Sequence, residues 1–443
     1  MSLKINIITL GCSKNLVDSE FLAGSLQKAG FKIEFDNEKK TGFYAVIINT
    51  CGFIDAAKEE AIDTILSICE QKKQGNVQRI IVCGCLINRY RNELQKEIIE
   101  VDAYFGTAQW KEITEYLQKT LAVANLTYQI FEERRFLSTP KHYAYLKISE
   151  GCDRHCSFCA IPIIRGKNIS RKIEELVQET EVLVKQGVKE IILIAQDTTY
   201  YGVDLYGKRA LTNLIKELAK IKDLMWIRLQ YTYPNQFPME IIDLMKTEKK
   251  LCRYIDMPLQ HINSSILRSM KRQITGENTL KLVEKIRILI PEIAFRTTFI
   301  VGYCGETKQQ FDELKTFVKE MKFDRMGAFK YSPQEGTEAY LLEDSVSEME
   351  KERRLNAITK IQQAISYEKN QAKIGKVFTV LIDREELDYF VGRTEFDSPE
   401  VDNEVLMYKS KTSNACLTVG SFILAKIIDA LEFDLIAEAL PEK

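Results

Sequence analysis

The chain has 443 residues and nearly balanced charge, with 62 Lys and Arg against 63 Asp and Glu, which excludes a protein that binds polyanions over its whole surface. A chain of this length can bury a full core and predicts two or three domains. Because the sequence has no long apolar run and no signal-peptide pattern at its N-terminus, we expect a soluble, cytoplasmic protein without a membrane span.

The first part of the chain alternates apolar strands with amphipathic helices. Strands are predicted at 5–10, 45–50 and 79–84, and helices at about 16–29 and 55–73. A further helix is expected after the third strand. This alternation predicts a parallel sheet covered by helices.

The middle of the chain repeats the same alternation after a polar connector. Each gap between its strand-like runs is long enough for a helix, so we expect a partial (β/α) barrel rather than a complete eight-stranded one. The predicted strands are 143–149, 189–195, 224–231, 252–259, 294–302 and 325–332.

The last part of the chain has a different pattern of residues. Residues 345–373 predict a charged helix, and after Gly375 short strands alternate with Gly, Asp and Pro, which is typical of a small all-β barrel. The predicted fold class is α/β with this added barrel. The predicted divisions are an N-terminal parallel-sheet domain 1–126, a linker 127–141, a central barrel 142–373 and a C-terminal barrel 374–443.

Three cysteines follow the first predicted strand of the central barrel in the pattern C-x3-C-x2-C. One short loop could hold Cys152, Cys156 and Cys159 at three corners of a four-iron cluster, which ordinarily takes four cysteines. The next cysteine, Cys252, is far along the chain, so the pattern predicts one open iron. An open iron can bind the amino and carboxylate groups of S-adenosylmethionine and pass it the electron that generates a deoxyadenosyl radical.

The alternative for these cysteines is a zinc site completed by His155 or His142. Structural zinc sites favour paired C-x2-C units that supply four ligands. The single C-x2-C unit here therefore favours the iron–sulfur cluster.

A second group of cysteines follows the strands of the N-terminal sheet. Cys12, Cys51 and Cys85 each come after a predicted strand, so they meet at the carboxyl edge of the sheet and could hold a second cluster. Two alternatives remain open: these thiols are buried strand caps, or Cys83 takes the place of Cys85. The other cysteines are expected to be core thiols: Cys69, Cys252, Cys304 and Cys416.

Several segments resemble the methylthiotransferases, and specifically the RimO type, which modifies a ribosomal protein. The strings GCLINRY and QDTTYYGVDLYG favour this type over the tRNA-modifying MiaB type, whose first motif is usually GCQMN. Cys304 departs from the family, which usually has proline there. The resemblance rests on LGCSKNLVDSE, NTCGFIDAAKEEAI, GCLINRY, YLKISEGCDRHCSFCAIPIIRG, IAQDTTYYGVDLYG, PLQHI and FRTTFIVGYCGET.

The resemblance implies the cofactors and the reaction. It implies a radical SAM barrel, a TRAM-like last domain, S-adenosylmethionine and two four-iron clusters. The reaction would add a methylthio group to the β-carbon of an aspartate in small-subunit ribosomal protein twelve. The implied ligands are Cys12, Cys51 and Cys85 for the auxiliary cluster, and the catalytic Cys152, Cys156 and Cys159 for the radical cluster.

Residues at the ends of the barrel strands are candidates for contacts with S-adenosylmethionine, because active sites of such barrels lie at this face. Phe158 is included because the resemblance places it near the adenine, while Glu306 has the alternative role of capping a helix. We expect Arg154, Lys167 and Arg171 to be solvated and His261 to line the pocket. The candidates are Phe158, Gln196, Asp197, Gln230, Gln260, Gly302 and Glu306.

The charge of the last domain bears on the substrate. Residues 374–443 contain 7 Lys and Arg against 14 Asp and Glu. An acidic surface repels a phosphate backbone and attracts a basic protein, so a ribosomal protein is favoured as partner and direct RNA binding is not expected. A low-potential electron donor is also required. The alternatives are a MiaB-like enzyme on tRNA and a non-enzymatic iron–sulfur scaffold.

Overall fold

The computed structural model describes residues 3–37, 42–120, 135–409 and 417–441. Its N-terminal sheet is parallel, in the order β2-β1-β3-β4-β5. Strand β3 is buried along its whole length because helices cover both faces, as its continuous apolar run indicates. The elements are β1 Lys4–Thr9, α1 Ser13–Lys28, β2 Lys32–Phe35, β3 Phe43–Thr50, α2 Asp55–Lys73, β4 Val77–Gly84, α3 Cys85–Glu97, β5 Ala103–Tyr104 and α4 Trp110–Thr120.

The register of this sheet aligns the ends of its central strands. Thr9 pairs with Asn49, and Asn49 pairs with Cys83, so β1, β3 and β4 leave the sheet at the same edge. The strand order changes direction between β1 and β3. Parallel sheets of this kind place their functional groups at such a switch point.

The central domain consists of two parallel half-sheets, β10-β9-β6 and β11-β12-β13. A bridge between Ile227 and Leu251 joins the halves into one partial barrel, with helices outside. The elements are β6 Tyr143–Lys147, β7 Ser149–Glu150, α5 Ile161–Arg165, β8 Ile169–Ser170, α6 Ile173–Lys185, β9 Glu190–Ile194, α7 Val203–Tyr206, α8 Leu211–Ala219, β10 Trp226–Leu229, α9 Glu240–Thr247, β11 Tyr254–Asp256, α10 Ser264–Ser269, α11 Gly276–Leu289, β12 Ala294–Val301, α12 Lys308–Met321, β13 Arg325–Lys330 and α13 Glu348–Gln371.

The C-terminal domain is a closed barrel in the strand order β14-β15-β16-β18-β17. Helix α13 leads into it, and residues 394–403, between β15 and β16, enter the open side of the central barrel. We call this segment the plug. The strands of the C-terminal barrel are β14 Val377–Glu385, β15 Tyr389–Thr394, β16 Val405–Tyr408, β17 Phe422–Ala430 and β18 Leu435–Ala439.

Acidic side chains of the plug bind the inner face of the central barrel. Asp397 binds Arg325 of β13, and both side chains are buried. Asp402 accepts a hydrogen bond from the hydroxyl of Tyr254 at 2.7 Å and pairs with Arg296 at 3.2 Å. The plug therefore uses part of the acidic charge that the sequence suggested was available to a partner.

The predicted α/β fold class and its added barrel are confirmed, but several predicted strands are too long. The run 224–231 gives only β10, Trp226–Leu229, because Tyr231 adopts a φ of 57° that ends the strand. Part of the predicted linker 127–141 and Cys416 lie outside the described residues. Within the residues described, we find no helix with the length and apolar character needed to cross a bilayer.

Candidate active site

Cys12, Cys51 and Cys85 lie together at the carboxyl edge of the N-terminal sheet. Cys12 precedes α1, Cys51 follows β3, and Cys85 begins α3. The three thiols are close enough for Coulomb interactions between each pair to affect their pKa values. Cys83 instead packs in an apolar cluster that includes Ile81 and Leu22. Cys85, rather than Cys83, thus lies with the other two thiols.

Glycines beside these cysteines allow the three loops to approach. Gly11 has a φ of +91°, and a Cβ there would lie 2.6 Å from Cβ and 3.0 Å from Sγ of Cys51. A Cβ at Gly84 would lie 2.6 Å from the carbonyl oxygen of Thr50. Side chains at either position would push the loops apart, so the close packing of this edge depends on glycine.

Asn15, on the first turn of α1, holds two of these loops together. Its Nδ2 donates hydrogen bonds to the carbonyl oxygens of Leu10 at 2.9 Å and Thr50 at 3.1 Å. The Asn49 amide donates in turn to the carbonyl oxygen of Asn15 at 2.8 Å. Because Asn15 is fully buried and fixed on both sides, the loops that carry Cys12 and Cys51 are preorganised.

The second group of thiols lies on the loop after β6 and β7. Within this loop the Cys159 amide donates to the carbonyl oxygen of Cys156 at 3.1 Å, and the Cys152 amide donates to that of Gly166 at 3.0 Å. Coulomb interactions again connect each pair of these three thiols. The loop thus presents Cys152, Cys156 and Cys159 as one group at the mouth of the barrel.

Burial raises the pKa of several of these thiols. It raises the pKa of Cys85, Cys152 and Cys159 to about 12 in each case. Such thiols hold their protons at neutral pH until a metal displaces them, because the thiolate is the form that binds metal. Loading of both sites must therefore release protons.

The donor sets fit iron–sulfur clusters better than zinc. Among the described residues, no three His, Cys, Asp or Glu side chains converge tightly enough to bind one metal ion. A four-iron cluster needs a wider triangle, since each thiolate binds a different iron. The zinc alternative also lacks its histidine, because His142 binds Asp383 at 2.8 Å and His155 points to solvent.

Two arginines contact an aromatic ring beside Cys156. The guanidinium carbons of Arg154 and Arg272 lie 4.1 and 4.2 Å from the centroid of the Tyr233 ring. Arg272 donates to the Cys156 sulfur at 3.4 Å, and Arg154 donates to Asp197 at 2.8 Å. Nη2 of Arg154 and Nε of Arg272 are buried and have no partner among the described residues.

These arginines change the sequence-based interpretation of the site. Arg154 was expected to be solvated, but it is largely buried and points into the site. Arg272 was missed, because a lone arginine between helices carries no motif. Asp197 positions Arg154 and also accepts from the Thr199 amide, so its carboxylate has a structural partner.

Some predicted cofactor contacts remain open to a ligand. Oε1 atoms of Gln196 and Gln260 are buried and have no hydrogen-bond partner in the described part of the chain. Gln260 has a φ of 73°, and such left-handed backbone in a non-glycine residue is common at functional sites. Phe158 packs beside Tyr303 and Cys304 at the end of β12. These residues stay predictions as cofactor contacts.

Other predicted contacts are already used by the fold. Gln230 donates to Oγ of Ser398 in the plug at 2.6 Å, and the Glu306 carboxylate accepts from the amides of Gly302 and Tyr303. His261 is fully buried and its Nδ1 accepts from the backbone amide of Asn263 at 2.9 Å. Oε1 of Glu306 and Nε2 of His261 are buried without a hydrogen-bond partner among the described residues. Gln230, Gly302 and Glu306 therefore stay predictions as cofactor contacts, and His261 stays a prediction as a pocket residue.

Arg165 connects the two thiol groups. It ends α5, which follows the Cys159 loop, and its guanidinium donates to Glu150 at 2.7 Å and to Asn15 at 2.5 Å. Its charge acts on Cys85 of the other domain. Lys147 joins the same buried network through Asp18 and Glu150. The network fixes the N-terminal domain against the barrel mouth.

Three family models match the chain in the order of its domains. Residues 4–106 match an uncharacterized protein family, UPF0004, residues 146–318 match the radical SAM superfamily, and residues 374–440 match the TRAM domain. The ribosomal protein uS12 methylthiotransferase RimO of Flavobacterium johnsoniae is 52% identical over 435 residues, which are 98% of each chain. The chain belongs to the RimO family of methylthiotransferases.

A second RimO relative gives the same result. The RimO protein of Bacteroides thetaiotaomicron is 50% identical, over 99% of this chain and 98% of its own. A solved structure of the radical S-adenosylmethionine methyltransferase TsrM from Kitasatospora setae is 16% identical with a TM-score of 0.56, and covers 75% of this chain and 77% of its own. At this identity the likeness shows that this chain and TsrM share a fold, and no more.

Proposed function

We propose that the protein adds a methylthio group to the β-carbon of an aspartate in ribosomal protein uS12. The observation that carries the proposal is the pair of three-thiol sites linked through Arg165. A radical generator needs one such site, and transfer of a sulfur atom calls for a second. The names of the RimO relatives support uS12 as the substrate.

The residues divide this work between the two ends of the Arg165 network. Cys152, Cys156 and Cys159 would hold the cluster that supplies the electron for cleavage of S-adenosylmethionine, and Cys12, Cys51 and Cys85 would hold the cluster at which the transferred sulfur is bound. Arg165 and Asn15 hold the loops of the two sites at a fixed separation.

Arg154 and Arg272 are suited to bind the carboxylate of S-adenosylmethionine. Both guanidinium groups are buried, both have an N–H without a protein partner, and both lie beside Cys156. Paired cations of this kind bind carboxylates through short charge-assisted hydrogen bonds. The Tyr233 ring, which both guanidinium groups contact, restricts the movement of both arginines.

The proposed partners follow from the surface of the C-terminal barrel. Outside the plug, acidic side chains remain solvent-facing on its strands and turns, including Glu385, Glu386, Asp388 and Glu432. This surface favours a basic ribosomal protein over RNA, since like charges repel a phosphate backbone. The reaction also requires a low-potential electron donor, and a ribosomal substrate places the enzyme in the cytoplasm.

A competition experiment tests the proposal. Reduced, reconstituted enzyme is incubated with S-adenosylmethionine, uS12 and unmodified tRNA, and both products are weighed. We expect a gain of one methylthio group on uS12 and none on tRNA. A gain on tRNA alone would establish the MiaB-like alternative. If neither deoxyadenosine nor S-adenosylhomocysteine forms, the enzymatic function is refuted.

A further inference from the structure

Lys14 is a buried cation without an anionic partner. It lies on the first turn of α1, two positions after Cys12, and only 7% of its surface is exposed. Its ammonium forms no hydrogen bond or ion pair with any residue that the structure describes. Asp18, one turn further along α1, binds Lys147 and Arg165 instead. An ammonium with no protein anion beside it is free to form a charge-assisted hydrogen bond with the carboxylate of a ligand.

The ammonium of Lys14 rests on the ring of Tyr231. Nζ lies 3.0 Å from the ring centroid, which is a cation–π contact. The ring is held in place by an unusual backbone, since Tyr231 has a φ of 57°. Its amide donates to Asp256 at 3.0 Å, and its carbonyl oxygen accepts from the amide of Thr198 at 3.0 Å. The ring that carries the Lys14 ammonium is therefore held in a fixed position.

The Lys14–Tyr231 pair lies between the two thiol groups. Lys14 belongs to the loop and helix that carry Cys12, and Tyr231 lies at the carboxyl end of barrel strand β10, the face where Cys156 and its arginines are found. In a transfer from one site to a carbon activated at the other, the accepting carbon must lie between them. The Lys14–Tyr231 pair marks this space.

We propose that Lys14 binds the side-chain carboxylate of the substrate aspartate and so positions its β-carbon between the two sites. This inference rests on the proposed function and names the group that selects its substrate. The carboxylate is directly bonded to the β-carbon, so fixing one fixes the other. A charged group held on an aromatic face with no competing anion gives selectivity for aspartate over asparagine.

Peptide binding to the reconstituted enzyme tests this role before any turnover. Two fluorescent uS12 peptides are compared by anisotropy, one with the target aspartate and one with asparagine in its place. We expect the wild type to bind the aspartate peptide roughly 10- to 100-fold more tightly, the range for a hydrogen bond to a charged group. Lys14→Met should bind both peptides equally and weakly, and Lys14→Arg should keep part of the preference.

Kinetics and cluster content separate this role from a structural one. In Lys14→Met the KM for the aspartate peptide should rise by a similar factor, while iron content and the visible absorption spectrum match those of the wild type. The control is Lys32→Met, an exposed lysine of the same domain, which should leave binding and kinetics unchanged.

The outcomes distinguish the two proposals. If the wild type modifies the peptide and Lys14→Met still prefers aspartate, the role of Lys14 is refuted and the proposed function stands. A loss of iron in Lys14→Met would assign the residue to the auxiliary site instead and would also overturn this inference. If the wild type modifies neither peptide nor whole uS12, the proposed function itself fails.

Discussion

Arg165 lies beside the thiol of Cys85 and partly offsets the rise that burial imposes on the pKa of that thiol. The two residues belong to different domains, and Arg165 follows the loop that carries Cys159. A single cation therefore lies at the boundary between the two sites that we propose for radical formation and for sulfur transfer.

Replacing Arg165 with Met should lower the midpoint potential of the auxiliary cluster by tens of millivolts and slow methylthio transfer. The reason is that a nearby positive charge stabilises the reduced, more negative form. A potentiometric titration followed by electron paramagnetic resonance measures the shift. Arg165→Lys keeps the charge next to Asp18 and Glu150 and should keep most of the potential. Equal potentials in the wild type and Arg165→Met would contradict this role.

Replacing Cys51 with Ala should remove the auxiliary cluster alone. We expect iron content to fall from about eight to about four per chain, with deoxyadenosine still formed and methylthio transfer lost. The matched control is Cys83→Ala, because Cys83 packs in the apolar core and should change neither iron content nor transfer. Transfer retained by Cys51→Ala would refute the auxiliary site.

Alanine at Gly11 should damage the auxiliary site by steric conflict with Cys51. Gly30→Ala is the control, since Gly30 has a similar φ of +88° but no atom within 4 Å of the added Cβ. Each substitution should cost about 1 kcal/mol of stability from its left-handed backbone. Iron measurements should show a loss at Gly11→Ala only, and equal iron in both variants would mean that the close contact does not matter.

Asp397→Asn should weaken the docking of the plug, because it leaves the buried Arg325 without its anion. Burial alone would raise the pKa of Asp397, but Arg325 and Lys373 lower it below its usual range. Its contribution is therefore complete above the ordinary aspartate pKa and is lost as pH falls through the lowered value. Breaking such a pair costs about 3–5 kcal/mol at pH 7, and the difference from wild type should shrink in strong acid.

Tryptophan fluorescence can follow this docking. Trp226 of the central barrel packs edge-on against Phe422 of the C-terminal barrel, with ring centroids 4.8 Å apart. In a Trp110→Phe background it is the single tryptophan of the chain. Urea unfolding of the metal-free protein at pH 7 and in acid gives the two differences, and a difference that does not depend on pH would argue against the Asp397–Arg325 pair.

The sequence allowed the grouping of the N-terminal cysteines to be predicted, because their position depends on strand order alone. Cys12, Cys51 and Cys85 each follow a strand of one parallel sheet, and such strands end at the same edge. The residues alone left Cys83 and Cys85 as alternatives, because residues two apart in a strand share a face; the resemblance implied Cys85, and in the structure Cys85 lies with Cys12 and Cys51. The start of α3 at Cys85 then turns its thiol toward the site.

The charged groups of the site could not be predicted because their partners are distant in the chain. Arg165 pairs with Asp18 and Glu150, and neither sequence spacing nor composition indicates a contact between domains. For the same reason the acidic charge of the last domain looked like a free surface, although Asp397 and Asp402 are used inside the central barrel.

The most direct test of the account is the competition between uS12 and unmodified tRNA in a single reaction with reduced, fully loaded enzyme. The account predicts a methylthio mass gain on the target aspartate of uS12, with formation of both deoxyadenosine and S-adenosylhomocysteine and no change in the tRNA. A methylthio gain on tRNA with unmodified uS12 would contradict it.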